Sequence, residues 1–458
     1  MYCKVCETVS LRSWLLVPYA FYRRGEIFAQ KLEKDEFELM QRCNGEQELE
    51  ESNLLRSLIL RSFLQELKGP ELHPVDYRFC ANLYFPRINW MITGRCNYNC
   101  LHCFNAADNE RLQSEFSWEE CISLLGEAEK CGVHAFTING GEPMLHPRFM
   151  DIVRSIYERN MLIDELNTNG AFITQPILDE MKHIGCRPLM KISFDGIGHH
   201  DWLRNQKGAE QHTLNAIKLC IENDFPVMVQ TNIHRKNVAA ILPTLELMDI
   251  LGVMCTRVIR TSESPRWLEN ADDSCLAVEE YYEACLKIAG GYITNPHAMN
   301  LVFWQFLDIF PKTRTYSMRP VEGSYAAYQP DMPVCRGNRG MVAITASGEL
   351  VPCNQMSGFF KNRGISFGNM KKERLQQLLL DSRYLDKVCM SVSSVLEHNE
   401  KCQNCAYWKL CLGGCRAFAL QFGNDYLACD PAKCIYFHGG WMEKTEQAMK
   451  DFHNKYQE

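Results

Sequence analysis

Ile88-Asn89-Trp90-Met91-Ile92-Thr93 runs directly into Gly94-Arg95-Cys96-Asn97-Tyr98-Asn99-Cys100-Leu101-His102-Cys103-Phe104. The first six residues have strand composition, and the loop after them spaces three cysteines as C-x3-C-x2-C. Three thiolates on one short loop can hold three irons of a cubane, whereas a closed structural site takes four ligands. One metal position is thereby left open, as it is in a metal site that must bind substrate. A zinc knot or a pair of redox thiols is the competing reading, but zinc sites favour paired C-x2-C units and no fourth ligand is near in sequence.

Outward from this loop, short apolar runs alternate with amphipathic stretches from Arg87 to about Arg260, the signature of βα units on a parallel sheet. Strands are expected at Ile88–Thr93, Ala135–Asn139, Ile163–Asn167, Met190–Phe194, Val227–Asn232 and Thr256–Arg260. Phe149, Ile152, Val153, Ile156 and Tyr157 form one apolar helical stripe. Ser117 with Glu120 makes a capping box for a helix over Trp118–Lys130, and Gly132 stops it. Six such units predict an α/β fold, a partial (β/α)6 barrel, with a doubly wound open sheet as the alternative. In either case function gathers at the C-terminal ends of the strands.

The flanking segments differ. Residues 1–86 read as a small α+β, winged-helix-like module, with a strand over Glu26–Leu32 and helices over Asp35–Cys43 and Asn53–Leu67. The barrel is expected over 87–300 and a linker over 301–334, with Ser262 to Pro333 mostly helical or irregular. A cysteine-rich domain follows over 335–440 and a C-terminal helix over 441–458.

Composition narrows the function classes. The chain has 458 residues, 46% hydrophobic and 23% charged, with a formal net charge of -7. That is globular composition without the basic stripe that nucleic acid or an anionic membrane would require. No run of 18 or more apolar residues and no signal-peptide pattern occurs, so a cytoplasmic location is expected. In a reducing compartment 23 cysteines argue for metal rather than disulfides. Ten of them, Cys43, Cys80, Cys121, Cys131, Cys186, Cys220, Cys255, Cys275, Cys285 and Cys389, are scattered and read as packing. Cys3 and Cys6 read as part of a frayed terminus.

The loop at Cys96, Cys100 and Cys103 resembles the signature of the radical SAM superfamily, and Asn139-Gly140-Gly141-Glu142-Pro143 after the second strand resembles its GGEP motif. The resemblance implies a [4Fe–4S] cluster on the three cysteines, and binding of the S-adenosyl-L-methionine (SAM) amino group by Gly140, Gly141, Glu142 and Pro143. His102 stands where the family usually has an aromatic residue packing on adenine; a surface histidine is the competing reading, and Phe104 is placed to share the role. Asn167-Thr168-Asn169-Gly170, then Ser193-Phe194-Asp195-Gly196 with His200-Asp201 and Arg204, resemble a stretch of a subgroup that acts on peptides and proteins. On that resemblance Asn169, Ser193, Asp195 and Arg204 contact SAM, against a capped turn and a surface ion pair as the plainer readings. No catalytic acid or base stands out.

Further on come Cys335, then Gly348-Glu349-Leu350-Val351-Pro352-Cys353, then Cys402-x2-Cys405-x5-Cys411-x3-Cys415, and finally Cys429 and Cys434. This resembles the SPASM domain, which binds two auxiliary four-iron clusters. On that pattern Cys335, Cys353 and Cys415 hold one cluster, with Cys429 the candidate to complete it and ligation by substrate the alternative. Cys402, Cys405, Cys411 and Cys434 hold the other; zinc on four thiolates is the competing metal. The implied activity is reductive cleavage of SAM to a 5′-deoxyadenosyl radical, which takes hydrogen from a ribosomally made precursor peptide. A thioether or C–C crosslink, or an epimerised residue, would result. Expected partners are the precursor peptide, whose leader the N-terminal module could capture by strand addition, and a reduced flavodoxin- or ferredoxin-type electron donor. The alternatives are formylglycine formation of the anaerobic sulfatase-maturase kind and a non-catalytic iron–sulfur electron carrier.

Overall fold

A computed structural model of the chain describes residues 1–104, 114–261, 264–335 and 340–455. Arg87–Thr93 (β1), Ala135–Gly140 (β2), Leu162–Thr168 (β3), Leu189–Ser193 (β4), Val227–Ile233 (β5) and Cys255–Arg260 (β6) pair in sequence order, each parallel to the next. An order without reversal is barrel winding, which removes the doubly wound alternative. Asn300–Phe303 (β7) continues the sheet parallel to β6, and Leu307–Phe310 (β8) and Thr315–Met318 (β9) follow antiparallel. At the opposite end Met341–Ile344 (β10) lies parallel to β1 and carries Leu350–Val351 (β11). The resulting 11-stranded sheet ends on β9 and β11, which do not pair with each other, so the barrel is partial.

The stretch 301–334, expected as a linker, therefore carries strands of the barrel sheet. β7, β8 and β9 have four residues each, too few for alternation to show in sequence, and form because the sheet offers an edge to pair with.

The helix over Trp118–Lys130 begins as expected: Ser117 Oγ accepts the Glu120 N–H at 3.2 Å, and Glu120 Oε2 accepts the Ser117 N–H at 2.8 Å. Gly132 ends it with φ +73, and a Cβ there would strike Cys80 and Trp14 of the N-terminal module. Ile88, Trp90 and Ile92 of β1, Met190 and Ile192 of β4, and Val227 and Val229 of β5 pack with Leu124, Ile152, Leu178, Ile217 and Leu245 of the covering helices in one core.

The N-terminal module has two small sheets. One orders Asn44–Glu48, Tyr2–Val5 and Leu64–Leu67; the other orders Gln30–Lys31, Ala20–Arg23, Val9–Trp14 and Tyr77–Cys80. The helix over Lys34–Arg42 is as expected, but the one from Asn53 stops at Leu60. Ser62 turns the chain with φ +56, and Leu64–Leu67 pairs with the first strand. Of the strand expected over Glu26–Leu32 only Gln30–Lys31 forms. Cys3 is not frayed: it is fully buried in this module's core. The module docks on the barrel through Trp14 Nε1–H to the Cys131 carbonyl at 3.0 Å and through Tyr22 stacked on His134 at 3.8 Å. Among the described residues no helix is long and apolar enough to cross a membrane.

Candidate active site and cysteine centres

The loop after β1 gathers Cys96, Cys100 and Cys103 with Tyr98, Ala171 and Ala209 in one small cluster that contains no further cysteine among the described residues. Tyr98 N–H points at Cys96 Sγ (3.4 Å), and Arg266, a residue no motif singled out, ties down the loop with Nε–H to the Cys100 carbonyl at 2.9 Å. Burial first, then the neighbouring Cys100, Glu142 and Cys103, pushes the Cys96 thiol up to about 12. Three thiolates gathered on one loop repel one another unless a cation compensates them, and a metal centre supplies that charge. The donor set, three soft thiols on one braced loop, fits an iron–sulfur cluster.

The GGEP turn lies against the entry to this loop. Gly141 N–H bonds the Thr93 carbonyl at 2.8 Å and Glu142 N–H the Arg95 carbonyl at 2.7 Å. A Cβ on Gly141 would overlap the Arg95 carbonyl, so the glycine serves chain-to-chain packing. Glu142 is completely buried, with its carboxylate taking the Thr168 hydroxyl and the Asn169 N–H, both at 2.8 Å. Burial raises it to about 7. Glu142 thus ties the turn to the end of β3. Pro143 is buried at the start of a single helical turn, Pro143–Leu145.

Asn169 spans the gap to the loop, its Nδ2 donating to Asn97 Oδ1 at 2.8 Å. Asp195 and Arg204 are buried together: Arg204 Nε–H donates to Asp195 Oδ2 at 2.6 Å, and Nη1 reaches Cys100 Sγ at 3.8 Å. The surface ion pair is excluded, and the carboxylate that Arg204 clamps belongs to the protein. Burial opposes the Asp195 charge, yet Arg204 and His200 hold that carboxyl well below the usual range. Arg204 Nη2 is buried without a partner among the described residues. His102 is pressed down to about 3, by burial first and then by Arg204. With Asn232 Nδ2 donating to its Nε2 at 3.1 Å, the ring proton sits on Nδ1, which has no partner among the described residues. Ser193 is half-buried at the end of β4, and Phe104 is exposed.

The alternate positions of the strands were not singled out from sequence. Asn89, Asn139, Asn167, Ser193, Gln230, Asn232 and Arg257 lie on the pleat face opposite the helix-covered core, and all are half-buried. Lys191 joins them and pairs with Glu165 at 2.5 Å. This inner face is polar and half-buried in mid-sheet, unlike the apolar face that the helices cover. Alternation of polar residues with apolar ones in β4 and β5 was the available signal.

In the C-terminal region Cys353 is pushed up to about 11 by burial and then by Cys335, and Cys415 up to about 12 by burial, Asp430 and Cys353. Cys402 is likewise raised to about 12 by burial and then by Cys429 and Cys434, and Cys429 lies within hydrogen-bond reach of both. Cys434 also feels Cys411. Cys405 Sγ lies 3.5 Å from His438 Nε2. The structure sets Cys429 beside Cys402 and Cys434, whereas the SPASM resemblance made it the candidate to complete the group of Cys335, Cys353 and Cys415. The residue that meets Cys415 is Asp430: its Oδ2 takes the Cys415 N–H at 2.9 Å while Oδ1 caps the helix over Pro431–His438. Among the described residues no three Cys, His, Asp or Glu side chains close on one point as a single ion would require.

Comparison with known proteins agrees with these two thiol-bearing regions. Residues 90–248 match the Radical SAM superfamily, and residues 335–406 match SPASM, an iron–sulfur cluster-binding domain. AdoMet-dependent heme synthase of Methanosarcina barkeri is 26% identical, over 77% of this chain and 97% of that protein. PqqA peptide cyclase of Granulibacter bethesdensis is 23% identical, over 79% of this chain and 90% of that protein. The fold matches Streptococcus suis SuiB bound to precursor peptide SuiA with a TM-score of 0.67 at 13% identity, covering 94% of this chain and 99% of that one. It matches anSMEcpe with bound AdoMet at 0.60 and 15% identity, covering 81% and 96%. With the three-thiol loop, the glycine turn packed on it and the cysteine-rich C-terminal region, these matches place the chain in the radical SAM superfamily, as a member with a C-terminal SPASM domain.

Proposed function

We propose that the protein is a peptide maturase that installs a thioether or carbon–carbon crosslink, or an epimerised residue, in a ribosomally made precursor. The reading is carried by the position of the three-thiol loop at the C-terminal rim of a polar, half-buried barrel face. The PqqA peptide cyclase and SuiB likenesses support it. The SuiB match leaves too little of the chain uncovered to omit the N-terminal module.

Cys96, Cys100 and Cys103 hold the cluster, with Gly140, Gly141 and Pro143 forming the turn that receives SAM. Bound there, the cluster and SAM supply the one-electron chemistry that yields a 5′-deoxyadenosyl radical for hydrogen abstraction. Glu142, through Thr168 and Asn169, fixes the turn, and Asp195 positions Arg204 beside Cys100. His102 Nδ1–H and Arg204 Nη2 remain as buried donors for SAM, with Ser193 and Phe104 at the rim. Polar residues of the inner face, Lys191, Gln230 and Arg257 among them, take the peptide's carbonyls and amides. Cys402, Cys405, Cys411 and Cys434, and the group of Cys335, Cys353 and Cys415, hold the auxiliary clusters. Tyr77 and Phe79, exposed on the edge strand Tyr77–Cys80, offer a leader peptide a strand to pair with. A flavodoxin- or ferredoxin-type donor supplies the electron.

The test is anaerobic incubation of the iron-reconstituted protein with reductant, SAM and the peptide encoded beside its gene, read by mass spectrometry. Loss of a hydrogen pair from the peptide indicates a crosslink, and uptake of solvent deuterium indicates epimerisation. An aldehyde on a Ser or Cys would assign formylglycine formation instead. The heme synthase likeness favours a second reading, a tetrapyrrole substrate. Turnover of an iron porphyrin with the peptide left unchanged would decide for it.

A further inference from the structure

Of the ten scattered cysteines between Cys43 and Cys389, eight are buried, as packing residues are, while Cys275 and Cys389 are half-buried. Cys389 lies in distinctive surroundings. An antiparallel bridge joins Pro333 to Ser391, with Val334 N–H bonded to the Met390 carbonyl at 3.0 Å and Val392 N–H to the Met332 carbonyl at 2.9 Å. Cys335 and Cys389 flank that bridge, each two residues from it, with Cys389 closing the helix over Ser382–Val388. Beside them Tyr384 is completely buried, and its hydroxyl has no hydrogen-bond partner among the described residues. Cys389 and Cys353 are both close enough to act on that hydroxyl electrostatically. Cys353 in turn feels Cys335, and Cys415 feels Cys353. Four cysteines thus share one neighbourhood with a buried donor that lacks an acceptor, while Cys429 is engaged by Cys402 and Cys434. Buried donors without partners are rare, and a thiolate or cluster sulfur is the acceptor this one would serve.

We propose that Cys389, which lies outside the spaced motif, is the fourth thiolate of the auxiliary centre built on Cys335, Cys353 and Cys415. That centre is then closed to substrate, and Cys429, beside Cys402 and Cys434, is not one of its ligands. The assignment rests on the reading of the C-terminal region as cluster-bearing.

Iron and sulfide content and Mössbauer spectra of the full-length reconstituted chain test it, with Cys389→Ser, Cys429→Ala and the packing control Cys220→Ala beside the parent. The parent should carry about twelve irons in three cubanes. In Cys389→Ser the iron content should fall by about a third, or a three-iron or site-differentiated spectrum should appear, while Cys429→Ala and Cys220→Ala keep the parent's values. Parent iron content and spectra in Cys389→Ser would overturn the assignment. A second measurement needs no variant: alkylation of the parent followed by peptide mapping should label Cys389 only after iron is chelated, and labelling in the loaded protein would also overturn it. A parent that binds iron at the first loop alone would instead overturn the cluster reading of the C-terminal region.

Discussion

The Arg204 guanidinium donates to Asp195 at 2.6 Å and reaches the Cys100 sulfur at 3.8 Å, all inside the protein. Removing one partner of a buried ion pair leaves the other charge uncompensated, which costs about 3–5 kcal/mol. Arg204→Met should lose that much stability in denaturant unfolding, and Asp195→Asn added to it should restore part; a double variant no more stable than Arg204→Met would contradict the pairing. Glu142 works in the opposite sense, because burial lifts its carboxyl from 4.5 to about 7. The folded state keeps a proton that the unfolded state releases between those values, so this residue's contribution to stability falls as pH rises through the window. The loss amounts to about 3 kcal/mol above it. Melting temperature followed from pH 5 to 8 should fall in the parent relative to Glu142→Gln, and parallel curves would refute the shift. Neither burial was readable from the motifs, since a Glu in a turn and an Arg after a helix look solvent-facing until the chain closes over them.

Among the elements, the turn at 140–143 is held by its neighbours. Gly141→Ala should leave the circular dichroism spectrum of the chain unchanged and weaken SAM binding by about tenfold or more in calorimetry, because the turn can accept a Cβ only by moving off Arg95. Unchanged SAM affinity would show that the turn is not the receiving surface. The long periodic elements were legible: the Trp118–Lys130 helix has its capping box, and the six strands agree with their sequence limits to within a residue or two. The short ones were not. Leu64–Leu67 sits in what reads as one helix from Asn53, and only its pairing with Tyr2–Val5 makes it a strand. β7 to β9 likewise owe their conformation to the edge of β6.

In the whole molecule the N-terminal module has its own apolar core, around Leu11, Phe21, Phe37, Leu55 and Leu58, and meets the barrel through Trp14, Tyr22 and Arg78. Deletion of residues 1–85 should therefore leave a folded barrel with a melting temperature lower by several degrees. Peptide affinity should drop about tenfold or more, while SAM cleavage without peptide is unchanged. Equal peptide affinity in calorimetry would remove the recognition role. The C-terminal region is different, since β10 pairs directly with β1. Truncation at residue 334 should expose the β1 edge and give aggregated protein in size-exclusion chromatography, and a monodisperse product would contradict that dependence.

What the sequence determined by itself was local: three thiols and a glycine turn at fixed offsets from two strands, and helical stripes and caps that dictate alternating βα units. Such features depend on residues a few positions apart, so spacing alone reveals them. Which cysteines keep company was decided only by the tertiary structure. Asp430 meets Cys415, Cys429 joins Cys402 and Cys434, and the bridge between Pro333 and Ser391 brings Cys389 towards Cys335. These neighbours come from distant turns of the chain, and packing rather than spacing brings them together.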